Sequence, residues 1–120
     1  MVGSPVRHSL SPVLHGAAYD ELGLSGWSYE RIECDADGLG ELVRGLGPEW
    51  TGLSVTMPGK HAALSVAAKR SARADAVGAA NTLVRTADGW YADCTDVEGV
   101  TGALRAAGGF GSGRRGLVLG

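Results

Sequence analysis

The sequence predicts an α/β domain: a mainly parallel sheet with one antiparallel hairpin and flanking helices. Three observations carry this. Several stretches space their apolar residues at helical intervals, shorter stretches alternate apolar with polar residues between them, and an Asp-Gly pair separates the last two strand-like stretches.

From Ser11 to Leu22, the apolar residues Leu14, Ala18 and Leu22 recur every fourth position with Val13 and Ala17 beside them. That is the spacing of an amphipathic helix. Ser11 is a natural N-cap, Pro12 a natural first helical residue, and Gly23 a stop. Trp27 to Glu33 alternates as a half-exposed strand does, and a short helix is expected over Gly40 to Leu46. Thr51 to Met57 reads as the next strand, with Leu53, Val55 and Met57 on one face and Pro58-Gly59 ending it. Lys60 to Ala76 is Ala-rich, with Leu64, Ala67 and Ala68 as the stripe of one helix or of a broken pair. Ala80 to Arg85 and Trp90 to Asp93 form the hairpin around Thr86 to Gly89. Asp96 to Ala107 is a last amphipathic helix, followed by a glycine-rich connector, Gly108 to Gly113. Gly116 to Gly120 reads as a buried strand that reaches a glycine turn and stops there. Met1-Val2 offers little room for a strand ahead of Gly3, so the sheet is expected to be short of its first strand.

Composition narrows the function. The chain has 120 residues with 11 basic and 13 acidic side chains, a formal charge of −2. One domain of ordinary size fits that length. Near-neutrality and the lack of any basic cluster beyond Arg114-Arg115 argue against nucleic acid or a membrane surface as a partner. No apolar run approaches the roughly 20 residues of a spanning helix, and the first ten residues lack a signal-peptide core, so a cytoplasmic location is expected. The 2 cysteines, Cys34 and Cys94, form no CxxC, and the 3 histidines show no ligand spacing, so no metal is expected. Only Lys60 and Lys69 are lysines among the basic residues, and Asn81 is the sole side-chain amide.

In parallel α/β sheets ligands sit beyond the carboxyl ends of the strands. The polar residues just past those ends are Ser9, Ser11, Thr56, Lys60, Asn81 and Asp96.

Four motifs occur in order: His8-Ser9-Leu10-Ser11-Pro12, Ser54-Val55-Thr56-Met57-Pro58-Gly59-Lys60, Gly78-Ala79-Ala80-Asn81-Thr82-Leu83, and Thr95-Asp96 followed by Gly99. Together they resemble the N-terminal substrate-binding domain of the shikimate dehydrogenases, over nearly the whole chain. The resemblance implies NADP-dependent, reversible reduction of 3-dehydroshikimate to shikimate on the route to chorismate and the aromatic amino acids. It implies that NADP(H) is bound mainly by a Rossmann-type domain absent from this chain. Residues 1–107 would then be the substrate-binding domain and 108–120 the linker and first strand of that missing domain. Such a piece is expected to be inactive alone, and a homodimer is compatible with the resemblance.

The resemblance also suggests roles. Ser9 and Ser11 would take the substrate carboxylate, at a helix start whose hydroxyls and free N–H groups suit an anion. Thr56 and Asn81 would hydrogen-bond ring hydroxyls. Lys60 and Asp96 are the catalytic candidates: an ammonium both stabilises and protonates the alkoxide left by hydride delivery, a contribution of about 10² to 10⁴ in rate, and Asp96 orients it and binds a substrate hydroxyl. Read without the family, the same residues have plainer uses: Ser11 caps a helix, Thr56 and Asn81 satisfy local backbone groups, Lys60 opens a helix in solvent and Asp96 caps one.

The chain departs from the family where Asn is common, with Ser54, Cys94 and Gly16 in its place. Ser54 reaches less far and Cys94 is no amide, so neither enters the candidate site. Two other readings stand beside the first: a quinate or aminoshikimate dehydrogenase, and a non-catalytic small-molecule binding module.

Overall fold

A computed structural model describes residues 1–108, and the expected connector beyond Gly108 and the Gly116 to Gly120 strand lie outside them. The elements run β1 (Val2–Gly3), α1 (Ser11–Glu21), β2 (Ile32–Glu33), α2 (Leu39–Gly45), β3 (Gly52–Ser54), α3 (Lys60–Val66), β4 (Lys69–Arg70), α4 (Ala72–Val77), β5 (Thr82–Thr86), β6 (Gly89–Asp93) and α5 (Asp96–Gly108).

The strands form a two-stranded sheet, β1-β2, and a four-stranded sheet, β3-β5-β6-β4. A parallel bridge from Val2 to Val55 joins them, so β1 lies between β2 and the end of β3. β1 is only two residues long, yet the strand for which the sequence left little room is there in short form, with Val2 buried. β1/β2 and β4/β6 are parallel, while β3/β5 and β5/β6 are antiparallel. The hairpin is as expected, with Thr86 facing Gly89 across its turn.

One face of the sheet is packed. Leu39 and Val43, four apart on α2, and Ala63 on α3 cover Leu53, Val55, Leu83, Trp90 and Ala92. Arg85 lies over the Trp90 ring at 4.4 Å and donates to the carbonyls of Trp50, Leu46 and Gly47, so one guanidinium ties the segment entering β3 to the hairpin. The Ala-rich segment is a broken pair of helices, divided by β4; Ser71 caps α4 by accepting the Ala74 N–H at 3.1 Å.

Four expectations need correction. Leu10, not Ser11, is the N-cap residue of α1, and it makes no side-chain cap, so Pro12 sits at the second helical position. The apolar stripe of α1 is not buried: Leu14 is 68% and Leu22 70% exposed. The helix instead turns His15 and Tyr19 inward, with His15 stacked on Tyr29 at 3.9 Å and Tyr19 against Trp27. Only Ile32–Glu33 of the expected Trp27 to Glu33 strand pairs, because β1 has just two residues to offer it. Met57 leaves the buried row of Leu53 and Val55 and is 74% exposed, since the chain has already turned after Val55. Gly23, at φ 68°, ends α1 as expected, in a left-handed conformation that costs glycine little.

Candidate active site

The pairing pattern dictates where polar side chains collect. β1 runs parallel to the end of β3, β5 runs antiparallel to β3, and β6 antiparallel to β5. The carboxyl ends of β1, β3 and β6 therefore share one edge with the start of β5. That edge gathers the loop ahead of α1, the turn Thr56 to Lys60, Asn81, and Thr95-Asp96. Backbone bonds stitch it together: Thr56 N–H to Val2 O at 2.9 Å, Ser4 N–H to Met57 O at 3.1 Å, Val55 N–H to Asn81 O at 2.7 Å, and Ala80 N–H to Lys60 O at 2.9 Å. Gly3 permits the closest approach, since a Cβ there would lie 2.3 Å from Thr56 Cγ2 and 2.8 Å from Met57 O.

Lys60, Asn81 and Asp96 meet at this edge. Lys60 Nζ donates to Asp96 Oδ2 at 2.6 Å, and Asn81 Nδ2 donates to Asp96 Oδ1 at 2.8 Å. The Asn81 amide is fully used. Its Nδ2 also donates to Thr95 Oγ1 at 2.9 Å, and its Oδ1 accepts the Thr95 N–H at 3.0 Å and the Thr82 hydroxyl at 2.9 Å. Lys60 retains two N–H donors, and each Asp96 oxygen retains a lone pair. The lysine hydrogen bond holds the Asp96 carboxyl below its ordinary range against the opposing effect of partial burial, with the Lys60 charge and the Asn81 amide adding to the lowering. The lysine and aspartate side chains are 31% and 49% exposed, so solvent reaches the pair.

Ser9 and Ser11 form a separate, local arrangement. Ser9 Oγ donates to Ser11 Oγ at 3.1 Å and accepts the Ser11 N–H at the same distance. Pro12 has no N–H, and those of Val13 and Leu14 bond back to Leu10 O. The N–H groups expected to be free for an anion are thus engaged, and the hydroxyls are what this helix start presents. Two residues from β2 and its approach hold the loop. Arg31 donates twice to Ser9 O, and Glu33 accepts from Ser4 Oγ at 2.7 Å and Val6 N–H at 3.1 Å, bonds that hold its carboxyl below the ordinary range. Both backbone groups of Thr56 are used within the fold, which leaves its hydroxyl as the polar group it has to offer.

Sequence reasoning missed Thr95, Arg31, Arg73 and Asp93. Thr95 stands inside a motif and was findable there. The other three carry no local signature, since each works on a residue distant in the chain. Asp93 accepts a two-pronged bond from Arg73 and one from Ser71 Oγ, and the Arg73 fork holds its carboxyl far below the usual carboxylate range. Of the three departures from the family pattern, Ser54 ends β3, half-buried beside Thr82, Cys94 is buried directly after β6, and Gly16 lies in α1.

An open groove of about 920 Å³ lies along the other sheet face, between Trp27, Tyr29, Trp50 and Val84. Lys60, Asn81 and Asp96 do not line it, so size and chemistry point to different places and the chemistry is the better guide. Among the described residues no three His, Cys, Asp or Glu side chains group as a metal site would require, and no helix is long and apolar enough to cross a membrane.

Comparison with known proteins agrees with the motifs. The family model for the shikimate dehydrogenase substrate binding domain matches residues 1–83. The chain is 38% identical to the NADP-dependent shikimate dehydrogenase of Synechocystis, covering all of this chain and 41% of that protein. It is 41% identical to part of a pentafunctional AROM polypeptide of Candida tropicalis, covering 90% of this chain and 7% of that one. Among solved structures, the shikimate dehydrogenase of Mycobacterium tuberculosis superposes with a TM-score of 0.83 at 65% identity, over 86% of this chain and 40% of that one. The shikimate 5-dehydrogenase of Thermus thermophilus in complex with shikimate gives 0.80 at 34% identity, over 89% and 41%. The chain thus spans about two fifths of the length of the shikimate dehydrogenases it matches. With the family model covering most of its length and the fold shared over 86% of it, the chain belongs to the shikimate dehydrogenase substrate-binding domain family.

Proposed function

We propose that this chain is the substrate-binding part of an NADP-dependent shikimate dehydrogenase, which interconverts 3-dehydroshikimate and shikimate in the cytoplasm. The observation that carries the reading is the convergence of Lys60, at the start of α3, and Asn81, just ahead of β5, onto the carboxylate of Asp96 at the start of α5. Lys60 Nζ, with two N–H bonds to spare, is the proton donor to the substrate oxygen that changes between carbonyl and hydroxyl. Asp96 directs that ammonium, and accepts a neighbouring ring hydroxyl. Asn81 sets the carboxylate plane, and it reaches a ring hydroxyl by exchanging its bond to Thr95 Oγ1. Thr56 supplies a further hydroxyl, and Ser9 and Ser11 receive the substrate carboxylate through theirs.

The described residues do not fit the dinucleotide: no strand-to-helix turn among them carries the run of glycines that lets a backbone approach a pyrophosphate. The proposed division therefore stands as residues 1–107 for substrate and 108–120 for the linker and first strand of an NADP-binding domain, with the chain inactive by itself.

The test is an amide-correlation NMR titration of the 120-residue chain with shikimate, paired with an assay of NADP-dependent shikimate oxidation. Saturable shifts at Ser9, Ser11, Thr56, Lys60, Asn81 and Asp96 with no turnover are expected. A dispersed spectrum that shikimate leaves unmoved would sink the reading, and turnover by the chain alone would sink the division of labour. Stronger shifts with quinate than with shikimate would favour a quinate dehydrogenase, a reading kept alive by Ser54 standing where the family commonly has Asn.

A further inference from the structure

We infer that Arg73 is a positioning residue for Asp96, an inference that rests on the role proposed above for the Lys60–Asp96 pair. Arg73 is the second residue of α4, and its guanidinium reaches two other elements. Nε donates to Asp93 Oδ1 at 2.6 Å, Nη2 to Asp93 Oδ2, and Nη1 pairs with Glu98. Asp93 closes β6, and Glu98 lies in the first turn of α5. One planar group therefore holds the residue three before Asp96 and the residue two after it.

Asp93 extends this grip. Its Oδ1 also accepts the Ser71 hydroxyl at 2.6 Å and the Cys94 N–H at 2.8 Å, and its backbone carbonyl accepts the Asn81 N–H at 3.1 Å. Both ends of the Asn81–Asp96 contact thus hang from the residue that Arg73 clamps. Apolar packing does not do this work, because α5 has no buried residue. Nor does the catalytic pair orient itself, since an ion pair as open to solvent as Lys60–Asp96 has little orienting strength of its own. The Arg73 and Asp93 side chains are 29% and 16% exposed, and a bidentate guanidinium–carboxylate pair fixes direction as well as distance.

The test substitutes Arg73→Lys in the 120-residue chain, which keeps the charge and loses the fork, with Glu98→Asp as a milder variant that keeps the charge and shortens only the α5 arm. The Asp96 carboxyl carbon is followed by NMR as pH is lowered. In the unsubstituted chain Asp96 is expected to titrate below the ordinary 3.8, with its midpoint rising in Arg73→Lys and, by less, in Glu98→Asp. If Arg73→Lys fails to fold, Glu98→Asp is read alone. A midpoint unmoved in a dispersed spectrum overturns the inference. So does an ordinary midpoint in the unsubstituted chain, or collapse of both variants, which would assign Arg73 to the fold alone. No substrate enters this measurement. Shifted midpoints in a chain that does not bind shikimate would sink the proposed function and leave the role of Arg73 standing, whereas shikimate binding with unmoved midpoints would do the reverse.

Discussion

The two halves of the candidate site are built in opposite ways. The Lys60–Asn81–Asp96 corner is assembled from three segments, with Lys60 and Asp96 separated by 36 residues, and every one of its bonds depends on the sheet bringing strand ends together. The Ser9–Ser11 pair is assembled from neighbours two residues apart, and Arg31 and Glu33 tie its loop to the sheet. The corner has little freedom to move without disturbing β5 and β6. The hydroxyl bonds of the loop join near neighbours outside the strands, so it can adjust to a ligand without disturbing the sheet. The difference suggests a division: chemistry placed where register is fixed, carboxylate capture where adjustment is tolerated.

Substitutions can break this comparison. Lys60→Met, made in the complete dehydrogenase implied by the proposed function, is expected to lower kcat by about 10² to 10⁴ with a much smaller change in KM. Equal losses in binding and turnover would instead place Lys60 in the ground-state contacts. Asp93→Asn leaves Arg73 facing a neutral amide and is expected to lower stability by about 1–3 kcal/mol in urea unfolding. A neutral result there would mean that the corner does not hang from β6.

The loop should respond more weakly. Ser9→Ala removes the acceptor of the Ser11 N–H and is expected to cost roughly 1 kcal/mol of stability and to weaken shikimate binding by about tenfold, with Ser11→Ala milder in stability. The smallest effect is that of pH. The folded-state pKa of Asp96 is lowered, so what the Lys60–Asp96 pair contributes to stability is fully present above the unfolded value and is lost as pH falls through the folded one. Denaturant midpoints should thus show no change from this pair between neutrality and about pH 5, and only a slight decline below the ordinary 3.8, slight because both groups are open to solvent.

Much of the candidate site is legible in the sequence. Pro58-Gly59 after an alternating run marks where β3 ends, which puts Lys60 at the start of α3, and Asp96 follows the hairpin directly. Pattern alone does not say whether Leu83 or Val84 of β5 faces the core, since both are apolar; in the fold Leu83 is fully buried and Val84 is exposed. The periodicity of α1 located the helix but not the side it buries. An apolar stripe faces inward only where some element is there to receive it, and among the described residues the aromatic face of His15 and Tyr19 has Trp27 and Tyr29 as its partners.

By itself, then, the sequence determined the α/β class, the hairpin, the helix positions and the short list of polar residues past strand ends, because propensity, turn chemistry and periodicity act between near neighbours. Only the tertiary structure decided which of those residues meet. That Lys60 and Asn81 share the Asp96 carboxylate, that Asn81 also bonds Thr95, and that Arg73 grips both flanks of Asp96 all follow from strand register and direction, in which each contact is made across more than ten residues.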